Sequence, residues 1–85
     1  MNTEVHISSL VVQARPEGIA SIESAIGGLD GAEVHGTSAR GKLVVTLESI
    51  SEDEMLTRID AINQFEGVLS VALIFHQVED PTEPE

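Results

Sequence analysis

No cysteine occurs in the chain, so neither a disulfide framework nor a thiolate metal site can be built, and nothing argues for an oxidising compartment. Tryptophan and tyrosine are also missing and phenylalanine occurs only twice, which removes the aromatic platforms on which nucleic-acid bases stack. Basic residues are scarce: 4 Lys and Arg stand against 15 Asp and Glu, for a net charge of −11. That surplus repels phosphate backbones and anionic lipid and attracts a cationic partner, although an acidic surface also serves solubility alone. No run approaches the ~20 apolar residues of a membrane span, and Met1-Asn2-Thr3-Glu4 carries neither a basic run nor an apolar stretch, so a cytoplasmic protein without a membrane span is expected.

At 85 residues the chain can build one domain with a two-layer core. The expected division is a folded domain over residues 1–78 and a disordered acidic tail over 79–85. Removing the four acids of that tail still leaves a charge of −7 on the domain.

His6 to Gln13 is rich in β-branched residues and is apolar at both odd and even positions, the profile of a strand central in its sheet. Pro16 and Glu17 suit a first helical turn, and Ile19, Ile22, Ile26 and Leu29 form a helical stripe, closed by Gly27-Gly28. Ala32 to Thr37 reads as a poorly buried edge strand, and Ser38-Ala39-Arg40-Gly41 as a hairpin loop. Lys42 to Glu48 then alternates, with Leu43, Val45 and Leu47 toward the helices. Ser51 and Glu54 form a capping box, with Ile50 and Met55 placed for a hydrophobic staple. The second helix then carries Met55, Ile59 and Ile62, flanked by Leu56 and Phe65. Glu66-Gly67 ends it, and Val68 to Gln77 is the last strand, whose Leu69, Val71, Leu73 and Phe75 are expected to face the helices.

The order is βαββαβ, which predicts an α+β, ferredoxin-like domain: a four-stranded antiparallel sheet with both helices on one face. The other face is left open. To it we assign Leu10, Val12, Val44, Ala72 and Ile74, with Ser8, Thr46, Glu48 and His76 around them. In the alternative phase of the first strand, Ile7, Ser9 and Val11 exchange roles with Ser8, Leu10 and Val12.

Catalytic chemistry has little material. His6, His35 and His76 lie on separate strands with no i+2 or i+4 partner, so a metal site is not expected. Ser8-Ser9 lacks the sharp strand-to-helix glycine turn of a nucleophile, and Glu52-Asp53-Glu54 is accounted for by the helix N-terminus. Gly27, Gly28 and Gly31 close a helix, whereas a phosphate loop opens one. An acylphosphatase-like reaction would have only Arg15 to hold its anion. What remains is an apolar sheet face on an acidic body. It suits a homodimer, a regulatory domain that dimerises and binds a small molecule, or a groove for the apolar segment of a basic partner.

Taken together, Ser9-Leu10-Val11-Val12-Gln13, Gly31-x-Glu33-Val34, Gly41-x-Leu43 and Glu66-Gly67-Val68-Leu69-x-Val71-x-Leu73-x-x-His76-Gln77 resemble the NapD family from His6 to Gln77. The resemblance implies a small, non-enzymatic cytoplasmic chaperone with no cofactor of its own. Such a chaperone binds the twin-arginine signal peptide of the periplasmic nitrate reductase catalytic subunit and delays export while that partner receives its molybdenum cofactor. Carried over by position, it implies a peptide-binding face of Ser8, Leu10, Val12, Val44, Thr46, Glu48, Ile74 and His76, on a monomer or weak dimer.

Overall fold

The computed structural model describes residues 5–79. In chain order they form β1 (Val5–Ala14), a 3-10 turn (Pro16–Gly18), α1 (Ile19–Gly27), β2 (Ala32–Thr37), β3 (Lys42–Ser49), α2 (Glu52–Asn63) and β4 (Val68–Glu79). The four strands make one antiparallel sheet in the order β2-β3-β1-β4, the ferredoxin-like α+β arrangement. β1 is interior and β2 is an edge, as the distribution of apolar residues predicts. The last strand extends to Glu79, which pairs with Val5. The expected acidic tail beyond it lies outside the described residues.

Local signals set the ends of the elements. Pro16 opens the 3-10 turn that leads into α1. The Ser51 hydroxyl accepts from the Glu54 amide at 3.1 Å and caps α2, where three acidic residues occupy the first turn. The return half of the capping box is replaced, because the Glu54 carboxylate pairs with Arg58 one turn on. The staple does not close either: Ile50 stays largely exposed, as does Leu56, while Met55 is buried. Gly31 and Gly41 have φ of 78° and 95°, and a Cβ at either would collide with a backbone carbonyl, of Glu48 and Ala14 respectively. Those close approaches carry the hydrogen bonds Glu48 N–H to Gly31 O (2.8 Å) and Ala14 N–H to Gly41 O (2.7 Å), which fasten both ends of β3.

The core lies between the sheet and the helices. Leu10, Val12 and Ala14 of β1 and Leu43, Val45 and Leu47 of β3 meet Ile22 and Ile26 of α1 and Met55 and Ile62 of α2, all fully or nearly fully buried. Leu29, Val34, Ile59, Phe65, Val68 and Val71 close the margins. This corrects the expected phase of β1: Ser8, Leu10 and Val12 point toward the helices, and Ile7, Ser9 and Val11 point outward. The pairing register makes the assignment unambiguous, since Leu10 and Val12 lie opposite Val45 and Leu43, and cross-strand partners share a face.

Replacing Leu10 with Ala is expected to lower unfolding stability by about 2–5 kcal/mol in urea titrations, the range for a cavity in a close-packed core. Val44→Ala, on the other face of the adjacent strand, should cost under about 1 kcal/mol. Equal losses at the two positions would contradict this facing.

Candidate functional site

The two helices cover one side of the sheet, and the register defines what the other side presents. Three cross-sheet rows run from β3 to β4: Val44, Val11 and Ala72; Thr46, Ser9 and Phe75; and Glu48, Ile7 and Gln77. On the far side of β3, Glu33 of β2 joins the row of Thr46. Val44, Val11, Ala72, Ile7 and Phe75 are the apolar members of these rows, Thr46, Ser9 and Gln77 are polar, and the carboxylates Glu48 and Glu33 stand on β3 and β2. Val44 is 46% exposed and Phe75 53%, while Ile7 and Val11 between them are half-buried by their neighbours. These residues form a shallow apolar strip with no element of the described chain above it.

β4 departs from strict alternation. Its pairing with β1 shifts between Ser9 and Leu10 and again between Gln13 and Ala14, so Ile74 and Leu69 are inserted without a partner on β1. The insertion at Ile74 inverts the facing of the residues beyond it. Leu73 lies on the helix side opposite Leu10, whereas Phe75 lies on the open side opposite Ser9. The expectation that Leu69, Val71, Leu73 and Phe75 all pack on the helices therefore holds fully only for Val71. Leu69 and Leu73 are more than half exposed, and Val68 packs against the core instead. β4 thus carries Leu69, Leu73, Ile74, Phe75 and Val78 as large exposed apolar side chains, a concentration that scattered surface hydrophobics do not produce.

The polar groups around the strip are few. His35, inserted at the shift between Val34 and Gly36, shares a 2.7 Å hydrogen bond with Thr46 Oγ1, and its Nε2 lies 3.4 Å from Glu33 Oε1. Glu33 and Glu48 flank a depression of about 300 Å³ lined also by Ile7 and Thr46. His76 belongs to the other side of the sheet: it lies opposite Ser8, and its Nε2 is 3.2 Å from His6 Nδ1. Two of the three histidines therefore converge, but among the described residues no group of three or more His, Asp or Glu gathers as a metal would require.

Of the eight residues read as peptide-binding, Val44, Thr46 and Glu48 lie on the open face and Ile74 stands exposed at the bulge beside it. Ser8, Leu10 and Val12 are fully buried beneath the helices, and His76 faces away, so none of these four can line that surface. Ile7, Val11, Phe75 and Glu33 take their places. Gln13 on the outward parity and small Ala14 on the core parity mark the phase of β1, whereas the Ser8-Ser9 pair does not distinguish the two. The Phe75 reversal has no such signal, because a bulge inside an apolar run leaves the composition unchanged.

Comparisons with known proteins bear on the fold and the family. A family model described as NapD protein matches residues 5–80. The chain belongs to the NapD family. Chaperone NapD of Escherichia coli K12 is 36% identical over 84 residues, covering 98% of this chain and 97% of that one. Chaperone NapD of Paracoccus pantotrophus is 38% identical over 81 residues, 95% of this chain and 71% of that one. The solution structure of the E. coli Tat proofreading chaperone protein NapD superposes with a TM-score of 0.83 at 35% identity, covering all of this chain and 90% of that one. An AsnC-family transcriptional regulatory protein of Pyrococcus furiosus shares the fold alone, with a TM-score of 0.67 at 18% identity over 94% of this chain and 53% of that one. The named NapD relatives are chaperones, a non-enzymatic role, and among the described residues no helix is long and apolar enough to cross a membrane.

Ser8 supplies a check on the facing. Its hydroxyl is fully buried and has no hydrogen-bond partner among the described residues. Ser8→Ala should then raise unfolding stability by up to about 1 kcal/mol, because a buried hydroxyl left unsatisfied costs desolvation without return. A loss of more than about 1 kcal/mol in urea titration would mean that the hydroxyl has a partner.

Proposed function

We propose that this chain is a cytoplasmic chaperone that binds the twin-arginine signal peptide of the periplasmic nitrate reductase catalytic subunit on its open sheet face. In doing so it holds the precursor back from export until the molybdenum cofactor has been inserted. The observation that carries this reading is the uncovered strip of Val11, Val44, Ala72 and Phe75 on a chain of net charge −11. A twin-arginine signal peptide joins a basic start to an apolar stretch, so its two halves match the two properties of the face. Membership of the NapD family and the Tat proofreading role of the E. coli relative support the same partner.

Magnitudes divide the work between the halves. Fully burying a Val, Ile or Phe side chain is worth about 1.5–3 kcal/mol, and the strip's residues, already partly covered, gain about half of that each. Exposed ion pairs contribute about 0–1 kcal/mol apiece. Affinity therefore comes chiefly from apolar contact, and the carboxylates choose which apolar segments are accepted.

Calorimetric titration with a synthetic twin-arginine peptide should show saturable 1:1 binding in the micromolar range or tighter. Phe75→Ser should weaken it by about tenfold, the equivalent of about 1.4 kcal/mol, without lowering the unfolding midpoint. No heat at tens of micromolar would reject the proposal, as would an obligate dimer on size-exclusion chromatography with the strip buried between copies.

A further inference from the structure

We infer that the open face has a direction: a bound segment crosses the strands with its cationic end at the corner where β2 begins and β3 ends, and its apolar end over β4. This rests on the proposed peptide-binding function and adds to it the orientation of the guest and the carboxylates that receive it.

Charge is distributed unevenly over the face. Glu33 and Glu48 border the 300 Å³ depression on the open face. A second one of about 190 Å³ shares Gly31 and Glu48 with it but opens toward α2, where Asp30 and Glu54 stand with the cation Arg58, so the open-face depression is the one left to a cationic guest. Glu48 has no cationic partner among the described residues, and Glu33 meets only His35. Glu54, which also lines the second depression, already serves Arg58. At the opposite end of the same two strands, the hairpin carries Arg40 and Lys42, which repel a cationic guest from that side. From Val68 to Val78, β4 contains no Lys, Arg, Asp or Glu at all. A guanidinium is therefore stabilised at one corner and disfavoured at the hairpin, whereas an apolar side chain finds uncharged partners across Val11 and Val44 and on to Ala72, Ile74 and Phe75.

The dimensions suit such a guest. Strands spaced about 4.8 Å apart put roughly 14 Å between Glu33 on β2 and Phe75 on β4, the two ends of one cross-sheet row. About ten residues of helix or about four of extended chain cover that distance. An arginine pair can thus sit over Glu33 and Glu48 while residues within the next ten of the guest reach the strip, with no bend in the segment.

A double-mutant cycle on the full chain tests the direction. The probes are the twin-arginine peptide and the same peptide with both arginines replaced by glutamine, measured by calorimetry at low and high salt. Glu33→Gln and Glu48→Gln together should weaken the arginine peptide about 5- to 10-fold at low salt and leave the glutamine peptide unchanged, as expected for two exposed ion pairs. Phe75→Ser should weaken both peptides alike. Glu23→Gln with Glu52→Gln, an equal charge change on exposed helix positions, should do neither. If the helix pair couples to the arginines as strongly as the sheet pair, only net charge matters and the inference is wrong. If Glu33 and Glu48 show no coupling while Phe75→Ser still weakens binding, the direction is wrong but the face binds the peptide. If the unmodified chain binds neither peptide, the proposed function fails and the direction with it.

Discussion

Two helices cannot cover both sides of a four-stranded sheet, and the organisation of this molecule results from that shortage. Ten residues close the core between helices and sheet, and they leave a second face that must be tolerated in water or covered by something else. β1 bears the consequence most directly. As an interior strand it needs apolar residues on both sides, Leu10 and Val12 for the core and Ile7 and Val11 for the face, and each set is held in place by the same ladder to β3 and β4. The core and the proposed binding face therefore draw on alternate residues of one strand.

That alternation explains which features are legible in the sequence. The element order, the edge position of β2, the helical stripe of α1, the Ser51 cap and the facing of Leu43, Val45 and Leu47 all rest on local patterns with one dominant period, and each is present in the fold. The phase of β1 rests on a choice between two parities that are both apolar near Leu10-Val11-Val12, and hydropathy in that stretch does not separate them. What separates them is at the margins: small Ala14 shares the core parity, and Gln13, whose side chain donates to the Arg40 carbonyl, shares the outer one. A strand with two apolar faces is best read from its ends.

β4 is harder to read for a different reason. An inserted residue inverts every later side chain while leaving composition and length untouched, so the facing of Phe75 is a property of the pairing with β1. The inversion also reshapes the surface. Regular alternation would put Phe75 on the helix side with Leu73. The bulge instead turns it outward beside Ser9 and leaves Ile74 exposed next to it, so the largest apolar side chains of the strand end up together on the margin of the open face. An irregularity that costs a ladder position thereby builds the part of the strip with the most area to bury.

On the proposed function, charge decides which guests the face accepts. An apolar strip alone would accept many greasy segments, including the strip of another copy, and a strongly acidic body alone would attract any cation. Their combination discriminates by exclusion: an acidic or neutral apolar segment meets Glu33 and Glu48 without compensation, and a basic segment with no apolar continuation gains only solvent-screened ion pairs. Specificity on such a surface arises from the order of the two chemistries along the guest, basic first and apolar next, and from a face short enough that both must be satisfied within about 14 Å. The same negative field, carried by fifteen acids, opposes close approach of a second copy of this chain, which favours leaving the strip free for a guest of opposite sign.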